Sequence, residues 1–296
     1  MGSGCGWNAP IKGKVVFTSS RFEPDPNEKL TAFASDGVCL YEKGKIKKLQ
    51  RGLINPRFSK DGKIIAVIDW TEKENDITLL RLSNNEKIEI EKRILRNHPG
   101  EFTWLPNGKE LIFIALNDEF PDNLFFYDLE TGEEKQLTHF EDKYGFFGSL
   151  DISPDGSKIL FSYQQNRLST EEGKESFYLM DFNGENMQKL SIFGGGDGRF
   201  SSDGKKIVYN SPYLNGQRMK EGLEVFICDL QTSRTIRVTH NNAMETEPIL
   251  SPDGKQILYI RWEDKGKSIR VMNVDGTDDR EVVPKGYDIR NLDWVY

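Results

Sequence analysis

Cysteine is scarce in this chain: Cys5, Cys39 and Cys228 are the only three in 296 residues. An odd number at wide spacing gives neither a disulfide framework nor a zinc-ligand pattern. Histidine is as rare, with His98, His139 and His240. Long apolar runs are missing too. The longest, Leu111–Leu116 and Ile64–Ile68, have strand length and fall far short of the roughly 20 residues a spanning helix needs. Net charge is −7 and no dense Lys/Arg stretch occurs, which excludes general nucleic-acid binding, because an acidic surface repels phosphate backbones. The run Lys43–Lys48 alternates Lys with Gly and Ile and reads as one face of a strand. Gly-x-Ser-x-Gly, His-Glu-x-x-His and Cys-x-x-Cys are all absent. No stretch of ~10 or more residues carries a helical apolar period.

What the chain has is a repeat. A turn signature recurs as Ser59-Lys60-Asp61-Gly62, Leu105-Pro106-Asn107-Gly108, Ser153-Pro154-Asp155-Gly156, Ser201-Ser202-Asp203-Gly204 and Ser251-Pro252-Asp253-Gly254, its glycines 46, 48, 48 and 50 residues apart. Pro presets φ at the first corner, Asp or Asn takes the second, and Gly supplies the positive φ that closes the hairpin. An apolar strand follows each signature, as in Lys63–Ile68 and Gln256–Ile260. A third strand comes next, as in Asn123–Asp128 and Glu224–Asp229, and a more polar fourth, as in Lys135–Thr138 and Ile236–Thr239. Four short strands in about 48 residues make a propeller blade, whose two apolar faces are buried only by stacking against neighbours.

The chain ends complete the count. Gly13-Lys14-Val15-Val16-Phe17 matches Gly62-Lys63-Ile64-Ile65-Ala66 at 49 residues, so the chain enters at the second strand of a blade. Leu292-Asp293-Trp294-Val295 aligns with Phe102-Thr103-Trp104-Leu105 and supplies the missing first strand. The expected fold is all-β: a single six-bladed β-propeller over residues 13–296, four antiparallel strands per blade, with the first blade closed by the C-terminal strand and a tail at 1–12. A monomer is expected.

The runs Phe200-Ser201-Ser202-Asp203-Gly204-Lys205 and Leu250-Ser251-Pro252-Asp253-Gly254-Lys255 resemble the TolB propeller repeat. Arg237–Asn242 before Glu247-Pro248, Thr138-His139 and Tyr178-Leu179-Met180-Asp181 fit the same pattern. The resemblance runs from Gly13 to Tyr296. It implies a periplasmic protein that binds other envelope proteins through its propeller. TolB also carries an N-terminal α/β domain, for which these residues leave no room. Similar repeats occur in peptidase propellers, oligogalacturonate lyases and lipoproteins, so the fold alone does not settle function.

Candidate sites follow from propeller topology, which gathers the inter-blade links and the loops between second and third strands on one face. The residue expected just before each innermost strand is Asn55, Glu101, Ser149, Asp197, Glu247 or Asn291. All six are polar, and they should ring the channel mouth, either as a funnel for a cation or a partner's basic group, or as water-bridged packing. Trp70 and Trp262 end second strands beside the variable loops and are aromatic anchors for a partner, or packing under their own loops. His98, His139 and His240 fall in inter-blade links of blades two, three and five. A manganese lyase propeller uses histidines near its channel, but this spacing forms no ligand motif, and neither metal nor cofactor is expected. Gly194–Gly198 precedes no helix and reads as a close-packed link, not a phosphate loop. The segment 164–175 reads as a polar loop.

Ser3-Gly4-Cys5 matches the end of a bacterial lipobox, with Gly2 where an apolar residue is expected. Cys5 is therefore a candidate lipidation site, or else part of a cloning remnant; Cys39 and Cys228 read as buried thiols. The expected function is a non-enzymatic protein that binds a protein or peptide partner, outside the cytoplasm, with a lipid on Cys5 as its only link to a membrane. The alternatives are an enzyme acting on an oligosaccharide or peptide at the channel mouth, or a cytoplasmic scaffold.

Overall fold

Six apolar clusters, each shared by two neighbouring blades, hold the chain in a ring. The alternation of side chains along a strand explains how. Val15 and Phe17 pack with Ile249, Leu258 and Ile269 of blade six, while Val16, between them, packs with Leu53, Ile65 and Val67 of blade two. Both faces of each second strand are thus buried, which is why these strands read as continuous apolar runs. The computed structural model describes residues 11–20, 36–69, 76–88, 99–115, 121–142, 144–165, 175–194, 196–220, 222–264 and 266–296. Cys5, Trp70 and His98 lie outside the described residues, as does most of the segment 164–175. Among the described residues no helix is long and apolar enough to cross a membrane.

Six four-stranded antiparallel sheets form the blades. In blade two the strands are Leu53–Phe58, Ile64–Asp69, Asp76–Arg81 and Glu86–Ile88, in that order from the channel outward. Blades three to six repeat the plan, starting from Pro99–Trp104, Phe146–Ile152, Gly198–Phe200 and Met244–Leu250. In blade one the C-terminal strand Ile289–Val295 takes the innermost place beside Lys14–Ser19, followed by Gly37–Glu42 and Lys45–Arg51. Val15 is opposite Trp294 and Val16 opposite Asp293. The expected closure by the terminal strand is what the structure shows.

The turn signatures are built as the sequence implies. Ser153 Oγ donates to Asp155 Oδ1 at 2.6 Å, and the Ser157 amide donates to the same oxygen at 3.0 Å. Gly156 has φ 75° and its amide donates to the Ser153 carbonyl at 2.8 Å. Asp61, Asp203 and Asp253 accept the corresponding serine hydroxyls. These bonds favour the ionised acid, and Asp155 is held well below its ordinary value, at about 2. Cys39 and Cys228 are free and buried; burial pushes the Cys39 thiol up to about 11.

Candidate functional site

The channel wall is made by the innermost strands, and a register irregularity shapes five of them. Pairing with the second strand shifts between Ile54 and Arg57, Pro99 and Phe102, Phe147 and Leu150, Thr246 and Ile249, and opposite Asn291. Such bulges re-aim side chains. Asn55, Glu247 and Asn291 have φ of 52°, 51° and 57°, the left-handed region. The six aligned polar residues therefore do not all precede their strands. Only Asp197 does; Asn55, Glu101, Ser149, Glu247 and Asn291 lie inside the innermost strands, where the extra residue of the bulge sits.

Glu101, Ser149, Asp197, Glu247 and Asn291 converge on a cavity of about 40 Å³, room for a water or a small cation. A second set of side chains lies two residues further along four strands: Arg57, Asp151, Arg199 and Asp293. This second ring falls in the same alignment column shifted by two. Arg57 and Arg199 line the cavity with the acids.

Hydrogen bonds from these groups stitch five pairs of neighbouring blades. Arg57 Nη2 donates to Glu101 Oε2 at 2.6 Å, and Trp104 Nε1 donates to the Arg57 carbonyl at 3.0 Å. The Phe200 amide donates to Asp151 at 2.7 Å, the Glu247 amide to Asp197 at 3.0 Å, the Leu292 amide to Glu247 at 2.7 Å, and the Phe58 amide to Asp293 at 2.7 Å. Asn55 receives no such acid: its amide donates to Thr18 Oγ1 at 3.0 Å and its Nδ2 to the Gly100 carbonyl at 3.4 Å. Five carboxylates face two guanidiniums in this wall. Burial raises the pKa of Asp151, Asp197 and Glu247, and the neighbouring Asp197 charge raises Glu247 further. Glu101, with a quarter of its side chain exposed, is the acid that opens toward solvent.

One more acid joins the wall. Glu175 was expected in a polar loop; its carboxylate instead accepts Ser162 Oγ at 2.6 Å, and Ser162 Oγ in turn accepts the Ser149 amide at 2.8 Å. Gly148 makes the space, since a Cβ there would overlap the Glu175 carboxylate. Burial pushes Glu175 from an ordinary 4.5 up to about 7. The unfolded chain ionises this group near its ordinary value, so its contribution to stability is complete below about 4.5 and is lost as pH rises through about 7. Glu175→Gln keeps the acceptor and removes the charge. It should melt with the parent at pH ~4.5 and above the parent at pH ~8. Equal melting of the two proteins at both pH values, followed by circular dichroism, would contradict the burial of this carboxylate.

On the rim, Trp262 is 41% exposed and lines an open cleft of about 620 Å³ with Met244, Asn242, Arg261 and Asp264. Lys267 Nζ stands 4.0 Å from its ring centroid. Arg261 is held by Glu245 and Asp279, each at 2.9 Å. Asn241 ties the cleft to the blade five–six seam, donating from its amide to Glu224 and from Nδ2 to Glu245. His139 and His240 follow the outer strands of blades three and five, one whole blade between them, and the structure does not bring them together. Among the described residues no three His, Cys, Asp or Glu side chains are placed to hold a metal. Gly194 has φ 54°, and the Gly196 amide donates to Asn210 Oδ1 at 3.1 Å, as suits a packed link.

A ring of six such blades with a charged axial channel defines a β-propeller of the TolB-like kind. The chain matches the TolB beta propeller domain over residues 9–295 and belongs to that family. It is similar to the protein Atu1656 of Agrobacterium fabrum, 24% identical over 260 residues that cover 85% of this chain and 79% of that one. It is 23% identical over 238 residues to the Tol-Pal system protein TolB of Francisella tularensis subsp. mediasiatica, covering 78% of this chain and 51% of that protein. The chain thus spans about half the length of that relative. Among solved structures it is similar to TolB from Acinetobacter baumannii, with a TM-score of 0.76, 20% identity, and 98% and 68% of the two chains covered. An oligogalacturonate lyase in complex with manganese shares the fold, with a TM-score of 0.57, 18% identity, and 84% and 70% covered.

Proposed function

We propose that this chain is a non-enzymatic binding protein that takes a protein or peptide partner at its loop-rich face, outside the cytoplasm, with Cys5 as the residue that would carry a lipid. The observation that carries the reading is the channel mouth, where three carboxylates, Glu101, Asp197 and Glu247, outnumber two guanidiniums around a small cavity and Glu101 opens to solvent. A basic side chain of a partner is the complementary group. Exposed Trp262 and Met244 on the rim supply the apolar contact that anchors such partners. The relatives named as Tol-Pal system proteins support a partner that is itself a protein.

Fluorescence anisotropy with labelled lysine-rich and glutamate-rich decapeptides tests this. The lysine-rich peptide should bind at least ~10-fold more tightly, since each like-charge contact at a partly buried site costs on the order of a kcal/mol. Glu101→Ala with Glu247→Ala should weaken that binding by a similar factor. Equal binding of the two peptides, or affinity unchanged by the double substitution, would remove the funnel.

A further inference from the structure

The turn face of blades one and two gathers lysines. Lys12 leads into the propeller, Lys14 opens the strand Lys14–Ser19, Lys43 and Lys45 flank Gly44 at the tip of the next hairpin, and Lys60 and Lys63 stand in the blade-two turn signature. They form one surface. Lys14 is opposite Glu42, which is opposite Lys45, and Lys14 Nζ donates to the Gly62 carbonyl of blade two at 3.4 Å. Lys12, Lys43, Lys45, Lys60 and Lys63 are exposed, and Lys47 continues the row along the outer strand. The carboxylates at this surface are half-buried Glu42, exposed Asp61, which lies 3.3 Å from Lys63, and Asp253 of blade six, which is hydrogen-bonded to Tyr296. Blade three shows the contrast. The chain as a whole carries −7, and the turns of blade three set Lys109 against Glu110, Asp128, Glu130 and Glu133. Exposed Tyr296 completes the surface, with Lys12 Nζ 4.2 Å from its ring centroid. Lysines on an outer strand deter strand pairing with other chains. That accounts for Lys45 and Lys47, but Lys12, Lys60 and Lys63 belong to no outer strand.

We propose that this surface docks on an anionic lipid membrane, its lysines meeting headgroup phosphates and Tyr296 lying at the interface. Flexible lysines spread over the tips of two blades suit a fluid layer of charge better than one fixed anion, and aromatic residues favour the headgroup level. Chain length supports a membrane. From Cys5 to Lys12 is seven residues, at most roughly 25 Å of extended chain. A lipid on Cys5 would therefore hold this edge of the propeller against the headgroups. That last clause rests on the lipid-anchor reading above; the lysine surface does not.

Flotation of the unlipidated full chain with vesicles separates the two. Vesicles of phosphatidylglycerol in phosphatidylcholine should carry the protein, vesicles of phosphatidylcholine alone should not, and added salt should release it. Lys43→Gln with Lys45→Gln and Lys60→Gln should lower partitioning on the order of a hundredfold, at about fivefold per lysine. The same charge change made elsewhere, Lys189→Gln with Lys205→Gln and Lys206→Gln in blades four and five, should leave it within about twofold. No binding to anionic vesicles, or equal loss in both triple variants, would overturn the proposal. So would full release by millimolar inorganic phosphate, which would assign the lysines to a free anion. The Cys5 reading is tested separately, by the mass of protein extracted from membranes.

Discussion

Removing residues 289–296 is expected to unfold the whole ring and not just blade one. The strand Ile289–Val295 is the innermost strand of that blade, yet its contacts reach three blades. Ile289, Leu292 and Trp294 are buried in the cluster shared by blades six and one. The Leu292 amide is bonded to Glu247 of blade six, and Asp293 accepts the Phe58 amide of blade two. Burying a large apolar side chain stabilises by about 1.5–3 kcal/mol, so three of them approach the about 5–15 kcal/mol that a whole domain has to lose. A milder version is Trp294→Ala. It vacates a buried indole whose N–H donates to the Lys12 carbonyl at 3.0 Å. The loss should be about 3–5 kcal/mol, a fall of about 10 °C in melting temperature, in one cooperative transition. Calorimetry that showed blade one melting alone, with the other five intact, would refute cooperative closure.

Arg57→Met should be the most damaging single change in the channel. Arg57 is buried, donates to the Pro56 and Leu292 carbonyls, and is the ion-pair partner of Glu101. Removing one member of such a pair leaves a charge in a poor solvent, at a cost of about 3 kcal/mol where, as here, the other member keeps some exposure. The remaining acids are already pushed toward their neutral forms by burial, and one fewer cation pushes them further. Glu247, raised to about 7 and facing Arg57, holds its proton at pH ~5, so the variant should be less impaired there than at pH ~8. Adding Glu101→Leu should recover part of the loss, since a matched apolar pair carries no stranded charge. Chemical unfolding of the four proteins at both pH values measures the coupling; additive effects would show that the pair is not what holds this part of the wall.

Much of this architecture is written in local chemistry. The Asp-Gly and Asn-Gly turns fix where each hairpin bends, and the spacing of their glycines fixes the blade length, so blade number and closure follow from counting. The channel is less legible. Asn55, Glu101, Ser149, Asp197, Glu247 and Asn291 fall in one column, yet the bulges that place five of them within their strands leave no mark beyond the two asparagines that tolerate a left-handed backbone. Arg57, Asp151, Arg199 and Asp293 fall in a column shifted by two from the first. Glu175 could not be found this way. Its sequence neighbours are polar, and its burial depends on Gly148, a residue 27 positions away whose missing side chain makes room for it. Lys12, Lys14, Lys43, Lys45, Lys60 and Lys63 likewise come from separate turns and meet only when blades one and two are side by side.

Native-state hydrogen exchange read by mass spectrometry tests the ring most directly, in the peptide that holds Lys14–Ser19. Its amides pair with Ile289–Val295 from the other end of the chain. They should exchange only as slowly as the most protected strands of blades four and five, through global unfolding, and should lose that protection together with Ile289–Val295 in Trp294→Ala. Rapid exchange of Lys14–Ser19 in the intact protein, with the other blades protected, would mean that the two ends do not meet.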